Sequence, residues 1–357
     1  MASVKRRPDG RWRARYRDPA GKEHARHFDR RVDAEQFLTS VEHSKLTGGY
    51  VDPRAGRVTF AEWAEQWQAA QVWRPNTATS ARHALRYALD RFGKRRLQTI
   101  RPSEVQGWVR EVNDRQAPSM VRLAYQYFSA AMKAAVTDRL IASSPCEGVK
   151  LPVVERERVV PLTIDEVQAL ADTMPDRYRA LVILGAGTGL RTSEALAVTV
   201  DRIDWMRRTL TVDRQLSGAQ FAPPKSKESR RTIPLPDLVL EALSLHLAAY
   251  PSDCLVFTNT EGRPVLKNRL AVTFRRAAQK AGLEGASFRD LRHHYASLLI
   301  HGGESVKAVQ ARLGHSSASI TLDVYSHLWP DSEDRTRNAV DAAWRADFLR
   351  TETAEPD

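Results

Sequence analysis

Residues 287–300, SFRDLRHHYASLLI, place two arginines and two histidines near the start of a predicted helix. The apolar residues of this segment recur with the spacing of one helical stripe, which is predicted to be buried: Leu291, Tyr295, Leu298 and Leu299. Ser287 followed by Asp290 is a capping-box pattern that starts the helix there. Arg289 and Arg292 share a face beside the free amide groups of that end, a combination that favours a bound anion such as phosphate. A solvated basic helix end is the alternative interpretation.

A further arginine occurs in residues 185–198, GAGTGLRTSEALAV, where a glycine-containing apolar run leads to Arg191 at the start of a predicted short helix. A guanidinium brought into apolar surroundings needs a partner, and Glu194, three residues later, can be that partner. Structural pairing of these two side chains explains the pattern as well as a functional site does. The glycines do not form a dinucleotide-binding motif, because the preceding RYRALVIL fits a helix as well as a strand and no phosphate-loop lysine follows.

Four cationic residues occur close together in the segment PPKSKESRRTIPL: Lys225, Lys227, Arg230 and Arg231. The two lysines are predicted at a hairpin tip, and the two arginines on the returning strand. Residues 313–329 add His315 and, ten positions later, Tyr325. Taken singly, such a lysine is usually solvated, and such a histidine or tyrosine usually packs in a core.

Two parts of the chain are predicted to form helix-rich domains, one of them with a small sheet. Residues from about 157 to 350 are mostly helical in pattern, with a short antiparallel sheet formed by RTLTVDRQL, AQFAPP and RRTIPL, so an α+β domain is expected. Residues 58–143 contain four amphipathic helical patterns and hardly any strand pattern. One of these helices has an apolar stripe made of Val105, Trp108, Val109 and Val112. These residues predict a compact helical domain.

The first 55 residues are predicted to form a small sheet backed by one helix. The segment RWRARYR alternates, with Trp12, Ala14 and Tyr16 on one side. Its other side carries four arginines: Arg11, Arg13, Arg15 and Arg17. A second extended segment, KEHARHF, follows, and a helical pattern begins near Asp29. An arginine-faced sheet of this kind can lie in a DNA groove, and a solvated sheet face is the alternative.

The charge of the chain favours a polyanionic partner. Its formal net charge is +12, and residues 1–31 contain eleven Lys or Arg against four Asp or Glu. The two cysteines, Cys146 and Cys254, have no metal-ligand spacing, which argues against a zinc site and a disulfide framework. No apolar signal core or membrane-length apolar run occurs, so a soluble intracellular protein without membrane contact is expected.

Taken together and in order, these elements resemble the tyrosine recombinase family of the lambda-integrase type. The resemblance rests on TGLR, KSKESRRTIPL, DLRHHYASLL, LGHSS and TLDVY and extends over the whole chain. It implies a multidomain, mainly α fold with small β-sheets: an arm-type DNA-binding domain at 1–55, a helical core-binding domain at 58–143 and an α+β catalytic domain at 157–350. The string SHLWPDSEDRTR further resembles integrases of actinobacterial phages and integrative elements.

The resemblance also implies a mechanism. Tyr325 would attack a DNA phosphate to form a 3′-phosphotyrosyl bond, which a 5′-hydroxyl from another duplex can reverse. Arg191 and Arg292 would bind the nonbridging oxygens, and His315 would donate a hydrogen bond to the phosphate. Lys225 would protonate the leaving 5′-hydroxyl, and Lys227 is the alternative acid.

The implied activity is site-specific recombination that integrates or excises a mobile element, with a homotetramer acting on the core and arm attachment sites of two DNA duplexes. No metal ion, ATP or other cofactor is expected, because the acids of residues 287–329 are too scattered for a two-metal cluster: Asp290, Glu304 and Asp323. A host DNA-bending factor and an excisionase are further partners that the resemblance suggests. The expected location is the bacterial cytoplasm, in association with the nucleoid.

One position departs from the family motif, which usually has a histidine three residues before the second arginine. This chain has Arg289 there, and an arginine binds phosphate but does not accept a proton at neutral pH. Either the base is dispensable, which is the favoured expectation, or His293 supplies it. His293 is otherwise expected to pack or to orient the backbone. Two rival functions stay open: a monomeric type IB topoisomerase, and a sequence-specific DNA-binding protein without catalytic activity.

Overall fold

The chain divides into two compact units, Met1–Arg156 and Glu157–Asp357. The computed structural model describes residues 2–19, 21–46, 50–52, 55–155, 158–224, 226–329, 337–338 and 340–345. Within these ranges the first unit contains two separate hydrophobic cores, one around Tyr16 and one around Phe128. No described helix combines the length and the apolar composition needed to cross a bilayer.

The first core belongs to a three-stranded antiparallel sheet backed by one helix, as the sequence predicts. The sheet has the order β1 (Ser3–Arg6), β2 (Trp12–Arg17) and β3 (Glu23–Phe28), and α1 spans Arg31–Leu46. Period-two alternation turns Ala14 and Tyr16 inward, and both pack with the buried face of the helix. Strand β1 is the element that the sequence patterns missed.

The second core is formed by four helices: α2 (Phe60–Ala69), α3 (Pro75–Phe92), α4 (Pro102–Asn113) and α5 (Pro118–Thr137). Thr59 and Glu62 form a capping box at the start of α2. The other three helices begin with proline, whose fixed φ and missing N–H suit the first helical turn. The stripe predicted for α4 is buried along its whole length, which confirms a helical domain.

The second unit is helix-rich with two small antiparallel sheets, which confirms the predicted α+β class. Its helices are α6 (Ile164–Thr173), α7 (Asp176–Thr188), α8 (Thr192–Ala195), α9 (Asp237–Ala249), α10 (Lys267–Lys280), α11 (Phe288–His301), α12 (Val306–Leu313) and α13 (Ala318–Tyr325). Its strands are β4 (Ile203–Asp204), β5 (Thr209–Val212), β6 (Gln215–Ser217), β7 (Gln220–Ala222) and β8 (Arg231–Pro234). One sheet has the order β4-β5-β8, and β6 pairs with β7 in a hairpin.

The structure does not place Lys227 at a hairpin tip. The tip between β6 and β7 is formed by Gly218 and Ala219, and β7 and β8 pair with different strands. Lys227 begins a single 3-10 turn, Lys227–Ser229, on the connection from β7 to β8. Lys225 lies outside the described residues.

Helix α11 is buried on more than the stripe that its apolar residues predict. Leu291 and Tyr295 are buried as expected, but Leu298 is 43% exposed. The polar side chains of Arg292 and His293 are buried instead. Helix α11 packs against α7 on one side and against α12 on another, so residues outside the apolar stripe are buried too. Its cationic face lines the site described below.

Candidate active site

Two helices of the second unit end on glycines in the left-handed conformation, Gly189 after α7 and Gly314 after α12. A Cβ at Gly189 would lie 2.5 Å from the ring of Tyr295. One at Gly314 would lie 3.0 Å from the Arg231 guanidinium. Both positions therefore need glycine for the backbone conformation and for the close approach of neighbouring side chains.

Carbonyl groups at these two helix ends hold the two arginines of the predicted motif. Arg292 donates to the carbonyls of Gly189 and Leu313, each at 2.7 Å. Arg191 donates to the carbonyl of Gly314 at 3.0 Å. The C-terminal carbonyls of a helix carry the negative end of its dipole and favour a nearby cation. The adjacent acceptors Leu313 and Gly314 fix the two guanidiniums close to each other.

A buried carboxylate joins Arg191 to a third arginine. Glu194 is 4% exposed and accepts hydrogen bonds from Arg191 at 2.7 Å and from Arg231 at 2.9 Å. The predicted pairing of Arg191 with Glu194 is thus present. Burial by itself would raise the pKa of Glu194, but the Arg231 and Arg191 guanidiniums outweigh it, so that the pKa lies below its ordinary value. The carboxylate therefore stays charged at neutral pH and offsets part of the positive charge.

Arg292 is the most buried cation of this cluster. Its residue is 6% exposed, and burial, together with the like charges of Arg191 and Arg231, lowers its pKa to about 9. The guanidinium still carries its charge at neutral pH. A charge held in such surroundings interacts more strongly with a neighbouring anion than one in water does.

Tyr325, the last residue of α13, lies in this part of the molecule and is 1% exposed. The Nδ1 atom of His293 and the hydroxyl oxygen of Tyr325 are 2.8 Å apart, within one hydrogen bond. His293 is buried, in keeping with the expected packing role, and this hydrogen bond to Tyr325 is a further contact that the sequence did not predict. Burial raises the pKa of Tyr325, and the nearby guanidiniums of Arg292 and Arg289 act in the opposite direction. The hydroxyl is thus protonated at neutral pH.

His315 is a second histidine that packs near this tyrosine. Its ring stacks on that of Tyr325, with centroids 6.4 Å apart and an interplanar angle of 13°. Its Nδ1 atom forms a 2.8 Å hydrogen bond with the hydroxyl of the fully buried Thr321. Burial and then Arg292 and Arg191 lower the pKa of His315 to about 3, so its ring is neutral at neutral pH. A neutral ring held through Nδ1 presents Nε2 to a ligand.

The structure thus brings together four residues that the sequence motif selects: Arg191, Arg292, His315 and Tyr325. Arg289 is exposed on the first turn of α11, near enough to act on the pKa of Tyr325. The carboxylate of Asp290 accepts from the amide of Ser287 at 2.7 Å, which confirms the predicted helix start.

The sequence patterns assigned no role in the site to two of its residues: Arg231, which was placed only on the returning strand, and Thr321. Arg231 has the same strand parity as the buried Ile233, so period-two alternation could have placed it inward. Thr321 offered no comparable signal, because a threonine inside an apolar helix usually packs or bonds to its own backbone.

The four arginines predicted to meet DNA occupy or border β2. Arg13, Arg15 and Arg17 alternate with the buried Ala14 and Tyr16 and so lie on the sheet face opposite α1. Arg11 and Arg15 form ion pairs with acids at 3.2 Å and 2.8 Å. Lys5 on β1 lies opposite Arg13 and extends the basic face.

Among the described residues, one cluster could hold a metal ion: Asp18, His24 and Asp52 each offer a ligand atom within 4.8 Å of the others. His24 and Asp18 already share a hydrogen bond of 2.9 Å. This bond pairs two of the three residues, and the cluster belongs to the first unit, whereas Tyr325 belongs to the second.

Models of three phage integrase domains match this chain, over ranges between residues 2 and 331. The model of the phage integrase family matches residues 161–331. The model described as the phage integrase N-terminal domain matches residues 2–48, and that of the phage integrase central domain matches residues 60–151.

Relatives of known name agree with this assignment. The putative prophage phiRv2 integrase of Mycobacterium tuberculosis is 28% identical over 336 residues, which cover 89% of each chain. Tyrosine recombinase XerD of Corynebacterium glutamicum is 30% identical over 216 residues, 56% of this chain and 67% of that protein. This chain belongs to the phage integrase family and is a site-specific recombinase of the tyrosine type.

Solved structures share the fold. A lambda integrase dimer bound to a COC′ core site has a TM-score of 0.64 with 19% identity and covers 92% of this chain and 95% of its own. A lambda integrase tetramer bound to a Holliday junction has a TM-score of 0.61 with 20% identity, over 88% of this chain and 96% of its own.

Proposed function

We propose that this chain cuts and rejoins duplex DNA at attachment sites through a 3′-phosphotyrosyl bond on Tyr325, and so integrates or excises a mobile element. The observation that carries the proposal is the setting of the tyrosine hydroxyl. The buried hydroxyl forms a hydrogen bond with His293, the tyrosine ring stacks on that of His315, and the nearby Arg292 guanidinium is held by helix-end carbonyls. Pairing of the arginines with Glu194 would explain the arginines, but it would not explain a tyrosine hydroxyl close to them.

Arg191 and Arg292 are the proposed ligands of the nonbridging phosphate oxygens. Guanidiniums bind phosphate through paired, charge-assisted hydrogen bonds. Positions fixed before DNA arrives avoid reorganisation when charge develops in the transition state. Arg289, exposed at the start of the same helix as Arg292, is proposed as a third cationic ligand.

Protonation of the leaving group is assigned to Lys225, with Lys227 as the alternative acid. The 5′-oxygen needs a proton as its bond to phosphorus breaks, and a positioned acid is typically worth about 10²–10⁴ in rate. His315 is proposed to donate a hydrogen bond from Nε2 to a phosphate oxygen, since its Nδ1 is engaged by Thr321.

The proposed partners are core and arm attachment sites. The helical domain and the catalytic domain would bind the core site, and the arginine face at Arg11, Arg13, Arg15 and Arg17 would bind the arm site. Lambda integrase, which has the same fold, has been solved on a core site and as a tetramer on a Holliday junction. A homotetramer that joins two duplexes is therefore proposed, with boundaries at 1–55, 58–143 and 157–350.

Accessory factors and cellular location follow from the same proposal. A host DNA-bending factor would bring arm and core sites of one duplex to the same complex, and an excisionase would set the direction of recombination. DNA as substrate implies action in the bacterial cytoplasm at the nucleoid.

Incubation with a nicked suicide duplex tests this function. When the 5′ product diffuses away, religation is prevented and a covalent protein–DNA adduct accumulates. We expect the adduct with the wild-type chain and with Tyr295→Phe, a matched control from the same buried cluster. Tyr325→Phe should bind the duplex with nearly unchanged affinity and form no adduct. An adduct with Tyr325→Phe, or none with the wild type on its cognate site, would refute the proposal.

A further inference from the structure

The hydrogen bond between His293 and Tyr325 joins residues 32 positions apart in the chain. His293 is 7% exposed on α11, and its ring also meets that of Tyr325 edge-on, with centroids 5.5 Å apart. A histidine that served only as core filler would not require its nitrogen to face the hydroxyl of the proposed nucleophile.

A proton acceptor is needed at this hydroxyl. The buried Tyr325 is protonated at neutral pH, and a phenol is a far weaker nucleophile than a phenolate. Arg289 occupies the motif position where the family usually has a histidine, and a guanidinium does not accept a proton. His315 lies against the ring face of Tyr325, and its Nδ1 is engaged by Thr321.

We infer that His293 is a catalytic residue of this recombinase and accepts the proton of Tyr325 through Nδ1. The inference rests on the proposed role of Tyr325 as nucleophile. It assigns to His293 the function that Arg289 cannot perform.

As the Tyr325 oxygen forms its bond to phosphorus, its proton moves to His293 Nδ1, and the ring becomes an imidazolium. The bond from phosphorus to the 5′-oxygen breaks, and that oxygen takes a proton from the lysine acid. In the reverse reaction a 5′-hydroxyl attacks, its proton returns to the lysine, and the imidazolium returns its proton to the tyrosine oxygen.

The surroundings keep this imidazole in the acceptor form. Burial lowers the pKa of His293, and Arg289 adds to the effect. The charged and titratable groups near it are Arg289, Asp290 and Arg292 on α11, Tyr325 on α13, and His315 before α13. His327, in the 3-10 turn Ser326–Leu328 that packs on α11, donates a hydrogen bond from Nε2 to the carbonyl of Val159.

His293→Asn is the informative substitution. An asparagine places its amide oxygen near the position of Nδ1, so it can accept the tyrosine hydrogen bond without taking the proton. His294→Asn is the matched control, because His294 is the next residue, is equally buried, and bonds to the carbonyl of Leu162. Circular dichroism and DNA binding would verify that both variants fold.

The substrate would be a nicked suicide duplex with sulfur in place of the 5′-bridging oxygen. A thiolate leaves without a proton, so the lysine acid is not needed and the cleavage rate reports on the nucleophile. We expect Lys225→Ala to be slow on the ordinary duplex and to regain most of its rate on this substrate, because the leaving thiolate needs no acid. We expect His293→Asn to remain about 10²–10⁴-fold slower than wild type, the usual contribution of a general base.

The dependence of the cleavage rate on pH is a second measurement. Its shape would not change if His293 had only a structural role. With His293 as acceptor, the wild-type rate should rise with pH only below the ordinary histidine pKa of about 6.5 and be level above it. With His293→Asn, the tyrosine must ionise unaided, so the rate should keep rising about tenfold per pH unit through neutrality.

The outcomes separate this inference from the proposed function. Absence of any wild-type adduct would overturn both. A wild-type adduct with a rate that climbs steadily through neutral pH would overturn the role of His293 alone. So would a His293→Asn variant that cleaves as fast as wild type or faster, since the hydrogen bond would then only hold the hydroxyl in the DNA-free chain. If His294→Asn slowed cleavage as much as His293→Asn does, the slower rate would be due to a disturbed helix α11 and not to loss of the proton acceptor, and this too would overturn the role of His293.

Discussion

Arg289 is the residue at which this chain differs from the usual motif of its family. Its guanidinium lies close enough to oppose, together with Arg292, the rise in the pKa of Tyr325 that burial causes. It can therefore stabilise both the phosphate and the developing phenolate, but it cannot remove the proton. In the proposed mechanism, Arg289 supplies a positive charge at this motif position, and His293, four residues later, is the proton acceptor.

Replacement of Arg289 tests this division of roles. Arg289→Ala should slow single-turnover cleavage of the suicide duplex by about 10²–10³, the usual effect of losing one electrostatic donor. Arg289→His should stay active, because an imidazole at the same position can donate to the phosphate. DNA affinity, measured separately, corrects both rates for binding. Cleavage by Arg289→Ala at the wild-type rate would show that this guanidinium does not act on the phosphate.

At the scale of elements, the site is assembled where α7 and α12 end. Each helix turns at a left-handed glycine and exposes carbonyls to a guanidinium. Glu194 on α8 and Arg231 on β8 tie these ends to the sheet, through a 2.9 Å ion pair in which both side chains are almost completely buried. Loss of the carboxylate would leave two guanidiniums without their shared counter-charge.

We expect Glu194→Gln to lower the free energy of unfolding near pH 7 by as much as about 3–5 kcal/mol, the usual effect of breaking a buried pair. Because the folded-state pKa of Glu194 is depressed, its contribution is present above the unfolded value of about 4.3 and is lost as pH falls through the folded value. The difference between wild type and variant in urea unfolding should therefore shrink in acid. The exposed Glu284→Gln is the control. A difference that is constant with pH would contradict the assignment.

Local patterns predicted the elements better than the contacts between them. Alternation in RWRARYR and the stripe of α4 gave a strand and a helix, because each pattern reports burial of one face. The bond from His293 to Tyr325 and that from Arg231 to Glu194 join positions 32 and 37 residues apart, which no local pattern encodes. The burial of Arg292 was not predicted either, because an arginine buried in a site cannot be distinguished from a solvated arginine by its sequence alone.

At the scale of the whole molecule, the first unit contains two hydrophobic cores among its described residues, and the N-terminal one is small. Residues 1–31 supply seven of the twelve net positive charges of the chain, from eleven basic and four acidic residues. Such a distribution suits a separate module that binds DNA phosphates and is distinct from the tyrosine site.

Deletion of residues 1–55 should therefore separate chemistry from integration. We expect the truncated chain to form the covalent adduct on a core-site duplex, because the tyrosine site lies wholly in the second unit. It should fail to integrate between full attachment sites, because the arm contacts are lost. A plasmid integration assay run beside the adduct assay measures both activities. Normal integration by the truncated chain would exclude an arm-binding role for the arginine face.

The most direct test of the mechanism is to identify the residue that carries the DNA. The wild-type adduct on a nicked duplex is digested with nuclease and protease, and the modified peptide is sequenced by mass spectrometry. We expect a nucleotide joined through its 3′-phosphate to Tyr325. A nucleotide on any other residue, or one joined through a 5′-phosphate, would contradict the assignment of Tyr325 as the nucleophile.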